Sequence, residues 1–410
     1  MKLQESNFKK WFMVFSVGMY FFYEYIQMTL FNAIPVQLLS SFHISAASLA
    51  KLSSCYFLMQ IILLFPAGIM LDRLSLKKVI IFAMSVSIIG TLLLSCAHNI
   101  QFAMFARLLS GVGGAFAFLS CVKIASEWVP NKMSLATGLL VTLAVSGGFI
   151  AQTPFAYLAD HTSWCFALRI LAVFGVIILV NIIANVKSKS VVDMKNESAI
   201  SIFQQIKLAM SNFQTIVAGF YISLMNLPIS ILGALWGGLY LEETHYFSNV
   251  LSTFVASMIF VGIIVGSPLF GYFSEKVKRK KIPMLIGAIF SLFVVVLIIF
   301  SQTNNVFLLS FLFFLLGLTS SAQCIGYSVI IENNRIDLAA TASSIASIII
   351  MGGAALVKIL YGWILDHYTS HVVHNVPVYS HMAFESAMLI LPAGFILALF
   401  SIIFIRRVPV

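Results

Sequence analysis

Twelve long runs of mostly apolar residues lie along this chain of 410 residues, and they restrict its fold more than any other feature. A helix needs roughly 20 such residues to cross the hydrocarbon core of a bilayer. It also satisfies its own backbone hydrogen bonds there. The runs cover about 11–34, 47–71, 78–98, 101–125, 134–158, 165–186, 213–239, 249–273, 283–301, 306–331, 339–363 and 384–405. We therefore expect an all-α membrane protein with twelve transmembrane helices.

The composition supports this expectation, because 60% of the residues are hydrophobic and only 9% are charged. Soluble domains are roughly 45–50% apolar and about 25% charged. A single soluble core cannot grow large enough to bury so much apolar surface. The first run is as long as a membrane span and has no small-residue cleavage site nearby, so we expect it to be retained as a helix.

The basic residues predict how the chain is oriented. Nineteen of the 24 lysines and arginines fall on one side of the membrane when both termini are placed in the cytoplasm. Cytoplasmic loops are enriched in these residues. We therefore predict a multi-pass membrane protein with both termini cytoplasmic. The net charge of +10 is then an orientation signal, and we expect no nucleic-acid partner.

An internal repeat divides the chain. The longest hydrophilic segment predicts an N-terminal six-helix half at 1–187, a cytoplasmic linker at 188–211 and a C-terminal six-helix half at 212–410. Similar loops, with a small residue, an acid and a basic pair, recur in both halves at an offset of 203. They contain Gly68, Asp72, Arg73, Lys77 and Lys78, and Gly271, Glu275, Lys276, Lys280 and Lys281. Such a duplication places a substrate near mid-membrane between the halves.

These loops predict a gate. Each glycine would let two helices approach closely. Each acid would pair with a base or cap a helix N-terminus. The basic residues would hold the loop on the cytoplasmic side. Such a lock can form in one conformation and break in another.

At these loops the chain resembles the major facilitator superfamily, although Ser75 stands where the family usually has glycine. A second similarity is the family's fourth-helix pattern of an arginine followed by glycines, here Arg107, Gly111, Gly113 and Gly114. The resemblance covers essentially the whole chain. It implies two pseudo-symmetric six-helix halves and secondary transport, and it is uninformative about the substrate.

Two finer comparisons bear on the transport class. Gly138 and Gly147 have the spacing of the family's antiporter signature, but Ala151 and Gln152 stand where a Gly-Pro pair would follow. The stretches 20–25 and 115–118 are similar to nutrient carriers of bacteria that live inside host cells. This resemblance implies a protein of the bacterial inner membrane. These features favour uptake over efflux of drugs or a siderophore, which stays the alternative.

Glu24 is the first candidate for the chemistry. An acid in mid-membrane costs at least ~2.5 kcal/mol, so it should face a cavity or a partner. Tyr20 and Gln27 share its helix face, and Asn32 lies on the flank. We predict that Glu24 carries a proton; a structural ion pair with Arg107 is the alternative.

Two intramembrane cations are candidates for binding an anionic solute. Arg107 could hold a carboxylate by a two-pronged contact or lower the pKa of Glu24. Alternatively, it could support helix packing beside the glycines. Lys358 could bind an anionic group or exchange partners with Glu24, or its long side chain could extend to the outer interface.

Further polar residues complete the predicted pathway. Tyr56 with Gln60, and Gln323 with Tyr327, are spaced i, i+4 and could line a cavity or join helices by hydrogen bonds. Asn226 and Pro228 interrupt the seventh run. A break at this point could serve gating, or the proline could only kink a packing helix.

No enzyme motif accompanies these residues. The chain has no phosphate-binding loop, no nucleophile elbow and no pair of metal-binding histidines on a helix. We therefore expect no catalytic residue, no metal and no cofactor. The sequence predicts a monomeric secondary transporter that moves a small polar solute by alternating access, with an amino acid, short peptide or organic acid as the first expectation. Protons and the lipid bilayer are its other expected partners.

Overall fold

Helices cover all twelve predicted runs in the computed structural model, which describes residues 7–187, 202–277, 279–301, 303–334, 338–373 and 376–405. We number the membrane segments as spans 1 to 12. Spans 1 to 6 are Asn7–Thr29, Ala46–Arg73, Leu76–Ser95, Ile100–Trp128, Met133–Ile150 with Thr153–His161, and Trp164–Asn185. Short helices at Leu30–Ala33, Pro35–Phe42 and Pro130–Lys132 connect them.

The second half of the chain adds the remaining spans. Helix Ile202–Ser211 lies in the predicted linker, of which 188–201 is outside the described residues. Spans 7 to 12 are Phe213–Met225 with Ile229–Trp236 and Gly237–His245, Asn249–Val277, Lys281–Phe300, Val306–Ser320 with Ser321–Gln323 and Cys324–Asn333, Ala339–His367, and His381–Met388 with Ile390–Phe404. An antiparallel hairpin of Thr369–Val373 and Val376–Tyr379 joins spans 11 and 12.

Length and composition support the predicted fold class. Ten helices among the described residues are long and apolar enough to cross a membrane, and the bent span 7 gives an eleventh. Span 1 has 23 residues, about 34 Å at 1.5 Å per residue, but it carries Glu24 and Gln27 in its apolar sequence. The predicted number of twelve is thus approximately confirmed.

Contacts divide the chain into two units. The first unit contains Met1–Leu30 and Cys55–Lys195, and the second contains Phe31–Ser54 and Asn196–Val410. In the first unit span 1 packs on span 5, and span 3 packs on spans 4 and 6. In the second unit span 7 packs on span 11, and span 9 packs on spans 10 and 12. The same packing pattern therefore recurs at a distance of six spans, as expected of a duplicated unit.

The second unit holds the beginning of span 2 by its backbone. The two carboxylate oxygens of Asp366, at the end of span 11, accept hydrogen bonds from the Ala46 N–H at 2.9 Å and the Ala47 N–H at 3.0 Å. The Tyr379 hydroxyl accepts a further hydrogen bond from the Ala46 N–H at 2.7 Å and donates to Asp366 Oδ1 at 3.1 Å. A carboxylate is stabilised at this position by the unsatisfied N–H groups of the helix start.

The close helix approach expected at the loop glycines stays a prediction. A Cβ atom built on Gly68 or on Gly271 would meet nothing within 4 Å. Both glycines therefore leave room for a side chain. The side chains of Asp72 and Arg73, which belong to the same predicted motif, lie outside the described part of the chain.

Candidate functional site

Glu24 is buried in the first unit, with only 2% of its surface exposed. Its partner is Tyr56 of span 2, whose hydroxyl lies 3.0 Å from Glu24 Oε2 and 3.0 Å from the Glu24 carbonyl oxygen. Tyr56 is equally buried. The predicted pathway residues Glu24 and Tyr56 are thus brought together by two different helices.

Arg107 of span 4 is fully buried in the same region. Its guanidinium donates to the Gln27 carbonyl oxygen at 3.0 Å and to Gln27 Oε1 at 3.5 Å. The guanidinium carbon also lies 4.9 Å from the centre of the Tyr56 ring, a cation–π distance. Tyr56 therefore contacts both the acid and the base.

Gln27 fixes the position of Arg107. Its Nε2 donates to the Tyr23 hydroxyl at 3.0 Å and to Thr91 Oγ1 at 2.7 Å, which leaves Oε1 to face Arg107. The sequence analysis missed Tyr23 and Thr91. Tyr23 stands four residues before Gln27 and hence on the same helix face, so this spacing could have identified it.

Two glycines of span 4 make room for the polar side chains. A Cβ atom on Gly113 would overlap Oε1 of Glu24 and lie 2.6 Å from the Ser87 Cβ atom. A Cβ atom on Gly114 would overlap the Gln60 amide and lie 2.8 Å from Cζ of Tyr56. These two positions of the arginine–glycine pattern therefore form the surface on which Glu24, Tyr56 and Gln60 rest.

Tyr20 completes this cluster, since its hydroxyl donates to the Gly113 carbonyl oxygen. Gln60 is 4% exposed and lies over Gly114. The first unit thus brings together six of the eleven predicted pathway residues, which are Tyr20, Glu24, Gln27, Tyr56, Gln60 and Arg107.

Lys358 is fully buried in the second unit, so its side chain does not extend to a solvent-exposed interface. Its Nζ lies 3.3 Å from the Ser53 hydroxyl. The Trp236 indole N–H donates to the Lys358 carbonyl oxygen at 3.4 Å, and the Trp236 ring stacks on Tyr361 with centroids 5.6 Å apart. The stacked rings hold the backbone that carries the lysine.

Span 7 is broken where the sequence predicted a break. Its first helix ends at Met225, and the two parts meet at an angle of 44°. Asn226 caps the first part and donates to the Ser230 hydroxyl at 3.2 Å. The segment Ile229–Trp236 is a π-helix, a winding that is rare and often found at functional sites.

The remaining predicted pathway residues also lie in the second unit. Asn32 Oδ1 accepts the Gly238 N–H at 2.9 Å, directly after the π-helix. Gln323 ends a short 3₁₀ segment in span 10, and Tyr327 lies in the following helix. Gln323 and Tyr327 are half-buried, whereas the residues around Glu24 are buried.

The basic loops are anchored to the ends of neighbouring helices. Lys77 Nζ donates to the Ile183 carbonyl oxygen of span 6 at 2.5 Å, and Lys281 Nζ donates to the Ile403 carbonyl oxygen of span 12 at 3.2 Å. Each half thus ties a basic residue of its loop to its own last span. Lys280 also forms an ion pair with Glu332. Lys78, Glu275 and Lys276 are exposed.

Among the described residues, no three histidine, cysteine, aspartate or glutamate side chains come together as a possible metal site. The side chains that do converge are a carboxylate, a guanidinium, two amides and several tyrosines. Such a set can bind a proton and a polar solute by charge and hydrogen bonds.

Comparison with known proteins gives the family. The sequence model of the Major Facilitator Superfamily matches residues 16–357 and 215–410. The putative transporter AraJ of Escherichia coli (strain K12) is 20% identical over 212 residues, which is 52% of this chain and 52% of AraJ. The putative polyol transporter 2 of Arabidopsis thaliana is 26% identical over 122 residues, 29% of this chain and 24% of that protein. The matched region therefore spans about half the length of AraJ and about a quarter of the length of the polyol transporter.

Solved structures share the fold over nearly the full length. A bacterial homologue of the human lysosomal transporter Spinster, inward-facing and unoccupied, superimposes with a TM-score of 0.79 and 12% identity, covering 99% of this chain and 100% of that chain. The nucleoside transporter NupG gives a TM-score of 0.74 and 14% identity, covering 97% of this chain and 100% of that chain. Because the family model matches most of the sequence, this chain belongs to the Major Facilitator Superfamily and is a multi-pass membrane transporter rather than an enzyme.

Proposed function

We propose that this protein takes up a small polar solute, driven by protons, in the bacterial inner membrane. The solute class is an amino acid, a short peptide or an organic acid. The observation that carries the proposal is the buried cluster of Glu24, Tyr56 and Arg107 on spans 1, 2 and 4. Both termini lie in the cytoplasm in this proposal, as the basic residues predict.

Glu24 is the proposed proton carrier. Its carboxyl group is buried in a membrane span and hydrogen-bonded to a hydroxyl, while the cation nearby contacts Gln27 and Tyr56. Such an acid is stable in neutral form in an apolar surrounding and becomes stable as an anion when water or a cation reaches it. A change in exposure during the cycle would therefore change its proton occupancy.

Arg107 and Lys358 are the proposed contacts for an anionic group on the solute. A guanidinium can bind a carboxylate by two parallel hydrogen bonds. Both cations are fully buried, and burial of a charge inside a membrane protein is expensive unless function or pairing maintains it. One of these buried cations lies in each unit.

Transport itself is proposed to occur by alternating access, in which one half rocks against the other around a central site. The free space beside Gly68 and Gly271 supports this, because a helix could approach these glycines closely there. The backbone break in span 7 supplies a point where the chain can bend.

Thermal unfolding of the purified protein tests the solute class. The panel contains amino acids, dipeptides, organic acids, nucleosides, polyols, drugs and siderophores. Nucleosides and polyols are included because NupG and the putative polyol transporters carry these names. A ligand at ~100 times its dissociation constant stabilises the folded state by about 2.7 kcal/mol, which shifts the melt measurably.

Two outcomes are decisive. A shift with a carboxylate-bearing solute that disappears in Arg107→Ala and in Lys358→Ala supports the proposed site. A shift with drugs or siderophores alone contradicts uptake and favours proton-coupled efflux, with Glu24 as the antiport carboxylate. Uptake into proteoliposomes under an imposed pH gradient then decides the direction.

A further inference from the structure

A cavity of about 310 Å³ lies where span 1 begins and span 4 ends. This volume falls in the ~300–1,000 Å³ range of small-molecule pockets. Its walls carry two lysines and two tryptophans, Lys10, Trp11, Trp128 and Lys132, around the turn at Pro130. All of them belong to the first unit, and none is part of the cluster around Glu24.

The charge of the cavity selects an anion. Lys10 is half-buried and Lys132 is exposed, and none of the described lining residues is acidic. Within the described part of the chain, neither lysine has a carboxylate partner. Two ammonium groups at one cavity can both bind the negatively charged oxygens of a phosphate. Lysines near a membrane surface attract anionic lipids in this way.

The aromatic residues select a ligand with an apolar part. Tryptophan is enriched where the hydrocarbon core meets the polar headgroups. Phe8, Phe12 and Phe15 lie on the face of span 1 that adjoins Trp11, and their surfaces are 78%, 40% and 53% exposed. The three phenylalanines form an apolar strip that runs from the cavity along two turns of the helix. An acyl chain could lie along this strip.

We propose that this cavity binds the phosphate of an anionic phospholipid, with one acyl chain lying along Phe8, Phe12 and Phe15. A soluble phosphate would use the two lysines but would gain nothing from the phenylalanine strip. The chemistry shared by both ligands is the phosphate, and the continuous apolar strip favours the lipid.

The test compares lipid binding in mixed micelles by native mass spectrometry and by thermal unfolding. The probes are phosphatidylglycerol, phosphatidylcholine, glycerol phosphate and inorganic phosphate. The wild type should retain and be stabilised by phosphatidylglycerol above phosphatidylcholine, and the two soluble phosphates should leave the melt unchanged. Equal stabilisation by soluble phosphate would overturn the lipid assignment.

Paired variants identify the site. Lys10→Gln with Lys132→Gln should weaken phosphatidylglycerol binding roughly 30-fold, about fivefold for each lysine. The double change to arginine should keep the binding. The matched control, Lys51→Gln with Lys207→Gln, removes two exposed lysines elsewhere and should also bind as the wild type does.

Lys132→Gln alone, in an exposed turn, keeps the test valid when the double variant does not fold, and it should bind about fivefold more weakly. Selectivity for phosphatidylglycerol that is unchanged in the folded Gln variants would overturn the proposal.

Discussion

The hydroxyl of Tyr56 lies 3.0 Å from Oε2 of Glu24, so the buried acid of span 1 is held by a neutral hydrogen-bonding group from span 2. The guanidinium carbon of Arg107 lies over the ring of the same tyrosine, 4.9 Å from the ring centroid. An acid held in this way can lose and regain a proton without breaking an ion pair. This arrangement leads to the first prediction.

Glu24→Gln should abolish accumulation of solute driven by a pH gradient, because an amide cannot carry the proton. Solute exchange without a gradient should persist, since Tyr56 can still hydrogen-bond the amide. Accumulation and exchange are measured in proteoliposomes with labelled solute. The exposed Glu385→Gln is the control and should behave as the wild type. Unchanged accumulation in Glu24→Gln would show that another group carries the proton.

Gly113→Ala should destabilise the protein by about 1–3 kcal/mol, the usual cost of overpacking a filled interior. The new methyl group would overlap Glu24 Oε1 and press on Ser87. Gly138→Ala is the matched control, because a Cβ atom there meets nothing within 4 Å. It should be neutral or slightly stabilising, since alanine favours a helix by about 1 kcal/mol over glycine. Thermal unfolding measures the stability of both variants. Equal melting temperatures would contradict the close packing of Glu24 on Gly113.

Asp366→Ala should loosen the start of span 2, because the N–H groups of Ala46 and Ala47 lose their carboxylate. A lost hydrogen bond to a buried group costs about 1–3 kcal/mol, so amide exchange there should accelerate roughly 5- to 150-fold. Asp366→Asn keeps one carbonyl acceptor and should show a smaller effect. Hydrogen–deuterium exchange of the peptide around 45–50 measures this. Protection that stays equal in all three proteins would contradict the role of Asp366.

Tyr379 makes this junction sensitive to alkali. Burial, and after it the Asp366 carboxylate, raise the pKa of Tyr379 above its ordinary value of about 10. In that case the folded state holds the proton more tightly than the unfolded state. The stability that depends on this proton is fully present below pH ~10 and is lost as the pH rises above it. Melts between pH 8 and 11 should therefore fall less steeply for Tyr379→Phe than for the wild type; parallel curves would count against the effect.

The sequence predicted the features that depend on local spacing. Tyr20, Glu24 and Gln27 face one way because residues three and four apart lie on one side of a helix, and the structure places all three in the same buried cluster. The break in span 7 was also predictable, because Pro228 cannot continue the hydrogen bonding of the preceding helix.

Features that depend on distant contacts escaped prediction. Thr91 meets Gln27 across 64 residues, and Asp366 meets Ala46 across 320 residues, so no spacing rule connects them. The close approach predicted at Gly68 and Gly271 also depends on distant contacts. A glycine permits a close approach, but whether a helix takes that place depends on the conformation of the whole chain.

The π-helix of span 7 gives this segment a way to turn about its own axis. Each residue of an α-helix accounts for about 100° of rotation and 1.5 Å of rise. A shift in the winding of Ile229–Trp236 by one residue would therefore rotate the following helix, Gly237–His245, by about 100° about the span axis. The hydrogen bonds within Gly237–His245 would stay intact. A local change in winding would thus redirect Trp236 and its neighbours without unfolding of the span.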